Sequence, residues 1–153
     1  TRMTNVPHRW MDQGASQALP ILRVKERLHS GLLEVMIKKY MSDKTNWRAM
    51  LKGEFDLIDL EKKRDELFIS IKNELKEFQN RYGTSALSFY DGNVININYP
   101  IEEHPKKIIS HNLDKNNIVS GKILGIRGQY LILDTGVFNV RKFSGYLCDL
   151  SIV

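Results

Sequence analysis

The sequence predicts an α+β fold in three parts: a strand-and-helix layer over residues 1–53, a long connecting helix within 54–83, and a small antiparallel β module over 84–153. Helical spacing of apolar residues dominates up to Tyr82. Gly83 marks a switch to alternation. Beyond it, short β-branched runs are separated by Asp91-Gly92, Arg127-Gly128 and Asp134-Thr135-Gly136, the punctuation of a small sheet or half-barrel.

In chain order, Asn5-Val6-Pro7 opens a short helix, since asparagine caps and proline is tolerated in the first turn; Gly14 ends it. Ala18 to Val24 reads as a buried strand. Lys25 to Met41 is helical, with Leu28, Leu32, Val35, Met36 and Tyr40 as its apolar side, extended by Leu33 and Ile37. A second helix starts at Asp43 or Thr45 and stops at Gly53. Leu57 to Tyr82 reads as one long helix, interrupted on its apolar stripe by Arg64. LSFY-DGN-VININY predicts a hairpin, and VSGKILGI, QYLILD and VFNVRKF three further strands.

The 42% hydrophobic content supports a core, and no apolar run has bilayer length or the look of a signal peptide. Cys148, the single cysteine, excludes an internal disulfide and a multi-cysteine metal site, and favours a cytoplasmic setting. The net charge of +5 is unevenly placed. Residues 1–64 carry 13 Lys/Arg against 8 Asp/Glu, whereas 65–153 carry 10 of each. A basic excess confined to one region suits DNA or RNA phosphates, although ordinary surface charge looks the same.

Three places could carry chemistry. On the 25–41 helix, Glu34 sits in the polar arc beside Arg27, Ser30, Gly31 and Lys38. A lone carboxylate there suits Mg²⁺ or Mn²⁺ completed by water and phosphate oxygens, or else pairs with Lys38 at i+4. Arg9, between His8 and Trp10, offers a fork for a phosphate, or pairs with Asp12 or Asp43. TNWRAMLKG places Asn46, Trp47, Arg48 and Lys52 together; the aromatic stacks bases or anchors a core, and the cations hold phosphates. No Ser/His/Asp or Cys/His arrangement, phosphate-binding glycine loop or zinc spacing is present.

The segments TRxTNVPxRWMDQGASQALPxLRVxxRxxSGLLE, DKTNWRAMLKG and GKxLGIRGQYLIxDxGVFNVRKxSGY together resemble an uncharacterised bacterial domain-of-unknown-function family. The first half is also similar to the GIY-YIG nuclease superfamily. That resemblance implies a truncated GIY-YIG-like layer whose first strand pair and tyrosine lie before Thr1. Enzymes of this kind use the tyrosine as a base toward water, one metal on a helix glutamate and an arginine on the phosphate. By order, Arg9 matches the arginine, Glu34 the metal ligand and Asn46 a later asparagine.

The resemblance therefore implies a metal-dependent phosphodiesterase in full-length form, and a nucleic-acid-associated chain without catalysis in this one, because nucleophile, metal and charge stabilisation must act together. Nucleic-acid contact falls to Arg9, Trp47, Arg48 and Lys52. The competing expectation is a non-catalytic interaction or scaffold protein working through the C-terminal β module. A truncated layer would also expose a sheet edge at Ala18–Val24 and the apolar side of the Glu34 helix, favouring self-association.

Overall fold

The structure is a computed structural model, and it describes residues 6–42 and 44–152. Helix α1 (Val6–Asp12) is followed by two short strands, β1 (Gln17–Ala18) and β2 (Leu22–Val24), and by helices α2 (Arg27–Ile37), α3 (Trp47–Lys52), α4 (Leu60–Ser70) and α5 (Lys72–Tyr82). Strands β3 (Leu87–Phe89), β4 (Ile95–Asn96), β5 (Ile123–Arg127), β6 (Tyr130–Leu133) and β7 (Gly136–Asn139) complete an α+β fold with a three-stranded antiparallel C-terminal sheet, β5-β6-β7. The expected caps Asn5 and Asp43 lie outside the described residues. Among the described residues no helix is long and apolar enough to cross a membrane.

The strand expected over 18–24 is divided at Leu19–Ile21, where Pro20 removes a backbone donor. The hairpin expected within 87–99 does not form. Instead β1 pairs with β4 and β2 with β3, so that 87–96 runs antiparallel along 17–24. Between the paired ends, residues 19–21 face residues 90–94, a local mismatch that bends the ribbon. Gly92 lacks the positive φ that a two-residue hairpin turn requires. A Cβ on it would lie 2.7 Å from Pro20 Cγ, so this glycine serves a close approach between the two segments.

Two further readings are corrected. Helix α2 turns a different face inward than expected: Leu28 and Val35 are 63% and 64% exposed, while His29 and Leu33 are buried and Met36 and Ile37 pack beside them. Apolar residues wrap so far round this helix that periodicity alone does not fix its rotation. The aromatic rings of Phe78 and Tyr82, 5.4 and 5.1 Å from the His29 ring, do. The single helix expected over 57–82 is two helices. Asp59 caps α4 through its side chain, 2.9 Å from the Lys62 amide, and Ile71 leaves helical geometry at φ −100°, ψ 12°. The Ser70 hydroxyl donates to the Glu66 carbonyl at 3.0 Å, the back-bonding that bends helices.

Two cores result. Leu33, Leu67, Ile71, Leu75, Phe78, Ala86 and Leu87 form the first, with Ile71 at 0% exposure as its centre. Met50 and Leu51 of α3 join Ile132 and Val137 of the sheet in the second. The packing thus runs across residues 53 and 83: β1 and β2 pair with strands beyond Gly83, and α3 lies against the C-terminal sheet.

A buried arginine fastens this arrangement. Arg127, 4% exposed at the end of β5, donates to the Gly14 carbonyl (3.1 Å), the Met50 carbonyl (3.1 Å) and the Ser16 hydroxyl (2.6 Å). Its guanidinium also lies 4.6 Å from the Phe55 ring centre and 5.3 Å from that of Tyr99. Burial pushes the Arg127 guanidinium below its ordinary value, and it pushes the Tyr99 phenol up against the opposing pull of Arg127.

Candidate nucleic-acid interface

Helix α3 is short, so its ends decide its placement. Asn46 is the N-cap, its side chain accepting from the Ala49 amide at 3.2 Å. Gly53 closes the helix at φ 73°, and the His104 ring sits over it with Nδ1 2.8 Å from the Leu51 carbonyl. Leu51, fully buried, turns inward and leaves Arg48 and Lys52 outward. His104 anchors the connecting segment that carries Lys106 and Lys107, and Ile108 packs on the second core.

The outcome is a groove of about 390 Å³ lined by Arg48, Lys52, Glu54, Lys106 and Lys107, with Asn46 at one side and Ala49 and Ile108 as apolar lining. Among the described residues, four cations from two distant segments share this space with one carboxylate. Lys52 reaches Glu54 at 3.5 Å. Such a concave cluster concentrates positive potential more than the same charges on a convex surface would.

Trp47 packs rather than projects. Its indole is stacked on Tyr130 at 5.6 Å and 5° and is covered by the Arg48 guanidinium at 4.4 Å. The ring thereby sets the direction of Arg48, a cation–π contact worth about 0.5–1 kcal/mol at an exposed position.

Glu34 lies elsewhere. It lines a larger groove, about 650 Å³, between α2 and the β2–β3 ribbon, together with Trp10, Arg23, Ser30 and Tyr90. Its carboxylate is 3.5 Å from Lys38 Nζ, the i, i+4 pair. Arg9 is exposed on α1 and does not line this groove, although its neighbour Trp10 does. Of the residues expected to act together, the structure unites Asn46, Arg48 and Lys52 and places Glu34 in a different concavity. Among the described residues no group of three or more His, Cys, Asp or Glu is disposed to hold a metal ion. One carboxylate already bridged to a lysine is a poor donor set for Mg²⁺ unless a phosphate supplies further oxygens.

Sequence reasoning missed Lys106 and Lys107. Both belong to the half of the chain in which acidic and basic residues cancel, and a count over that half hides a local Pro-Lys-Lys run.

No curated protein and no solved structure matches the chain. The family described as protein of unknown function (DUF2797) matches residues 1–148, and the chain belongs to it.

Proposed function

We propose that this chain associates with nucleic acid by holding phosphates in the groove between α3 and residues 106–108. The observation that carries this reading is the convergence of Arg48, Lys52, Lys106 and Lys107 on one concave space. Phosphate contacts position a protein on a nucleic acid without reading sequence, and they make affinity fall steeply with salt.

On the same reading residues 1–53 derive from a GIY-YIG-like layer of a bacterial, cytoplasmic protein, and the chain binds without cleaving. Mg²⁺ or Mn²⁺ enters only at Glu34 and only when a phosphate completes its shell. Arg9 would steady that phosphate from α1. A second reading, an interaction protein acting through the C-terminal β module, is favoured by the origin of Lys106 and Lys107 in that part of the chain.

Fluorescence anisotropy with a short labelled duplex and its separate strands tests the proposal. Arg48→Ala and Lys107→Ala should each weaken binding and lower the salt slope by about 1. Lys142, which lies 4.8 Å over the Phe143 ring, is the control, and Lys142→Ala should change little. Equal losses in all three variants would place the contact outside the groove. An absence of binding at low salt would remove the proposal and leave the interaction-protein reading.

A further inference from the structure

We infer that the larger groove, between α2 and the β2–β3 ribbon, binds an amphipathic carboxylate: an aliphatic chain ending in a carboxyl group. This goes beyond the nucleic-acid reading and uses none of the residues of the phosphate groove. The groove, about 650 Å³, falls in the range of roughly 300–1,000 Å³ usual for small-molecule sites. Its lining is mostly aliphatic, with Leu22 and Val24 from the ribbon and Leu33 and Ile37 from α2. An aliphatic chain laid there gains the burial of apolar area without having to satisfy polar groups.

The charge pattern selects the headgroup. Among the described residues, those with charge that line the groove are Arg23, Glu34 and Lys38. Glu34 and Lys38 already face each other at 3.5 Å. The Arg23 guanidinium lies 5.1 Å from the Tyr90 ring centre, and no described carboxylate pairs with it. A guanidinium over a ring face still has N–H donors for a planar, bidentate anion, and a carboxylate matches that fork. Arg23 is exposed in β2, with its neighbours Leu22 and Val24 half-buried, so replacing it leaves the ribbon's packing in place.

The chain's two tryptophans make the test direct, since Trp10 lines this groove while Trp47 is stacked on Tyr130. In a Trp47→Phe background Trp10 is the sole indole. Its emission is followed during titration with dodecanoate below the micelle concentration, without divalent metal or nucleic acid. The expected result is a saturable change with dodecanoate, with affinity about tenfold weaker for dodecanol and for dodecanoate on Arg23→Gln. Unchanged Trp10 emission overturns the inference. So does equal affinity for the acid and the alcohol, or an Arg23→Gln variant that binds dodecanoate as tightly as its parent. Because no nucleic acid is present, none of these outcomes bears on the phosphate groove.

Discussion

Arg127 shows how one side chain can hold several segments in place. Its donors satisfy two carbonyls and a hydroxyl from residues more than seventy positions away, and burial makes each of those acceptors costly to abandon. Arg127→Met should therefore lower unfolding stability by about 3 kcal/mol in urea titration, whereas a surface change such as Arg141→Met should stay within about 0.5 kcal/mol. Gly128, next in sequence, has φ +56°, and a Cβ there would stand 2.7 Å from the Asp12 carbonyl oxygen and the Gly14 nitrogen. The sequence marks this Arg-Gly pair as a turn. It does not disclose the burial of the arginine, because nothing local distinguishes an arginine bonded to distant carbonyls from one in water.

Asn46 is legible at the same scale in two ways. The resemblance made it a catalytic asparagine; its position before a six-residue helix makes it a cap. The two roles separate experimentally. Asn46→Ala should cost about 1 kcal/mol by thermal or urea unfolding, and Asn46→Asp, which keeps the capping oxygen, should retain most of that stability. Because Asn46 borders the basic groove, Asn46→Asp should nevertheless weaken binding to a labelled duplex. Stability and binding that fall together in both variants would contradict a pure capping role.

Among the elements, helices with a sharp stop were the most readable. The stops at Gly14, Gly53 and Gly83 appear where expected, each with positive φ. Strand partners were not, since pairing depends on which apolar face a distant segment covers. Leu87 reaches the first core only by pairing with Val24, which a local hairpin would forgo. Rotation of α2 was equally hidden, for its apolar arc is wider than its buried face.

One contact between elements carries a pH signature. The Tyr40 hydroxyl, just beyond α2, donates to the Glu74 carboxylate of α5. This bond holds Glu74 below the usual carboxylate range and raises the Tyr40 phenol. A depressed folded-state value means that the stabilisation is complete above the unfolded glutamate value, about 4.3, and is lost as pH falls through the folded one. The raised phenol works oppositely: its contribution is complete below about 10 and is lost as pH rises through the folded value. Wild type should thus melt above Tyr40→Phe between about pH 5 and 9, and the gap should close as pH falls below about 4. A gap of constant size down to pH 3 would show that the hydroxyl acts only by packing.

At the scale of the molecule, the packing that crosses residues 53 and 83 is also what assembles the basic groove. Arg48 and Lys52 come from a region whose positive excess is plain in the sequence, while Lys106 and Lys107 are brought to them by the His104 anchor. The apolar residues left outside have a consequence too. Leu28 and Val35 line one side of α2, with Ile69 and Phe89 also exposed, so self-association should appear in light scattering as a mass rising with concentration. Leu28→Glu with Val35→Lys should return the chain to a single monomer mass; a wild-type mass that stays monomeric at high concentration would show that these residues tolerate water.

The central claim is that four cations in one groove hold phosphates. It is tested most directly by the dependence of duplex affinity on salt, measured for wild type and for Lys106→Gln/Lys107→Gln. With one phosphate per cation, the logarithmic slope for wild type should be about −3.6, and the double variant should reduce its magnitude by about 2. A double variant with the wild-type slope would contradict the account and place the binding charges elsewhere on the surface.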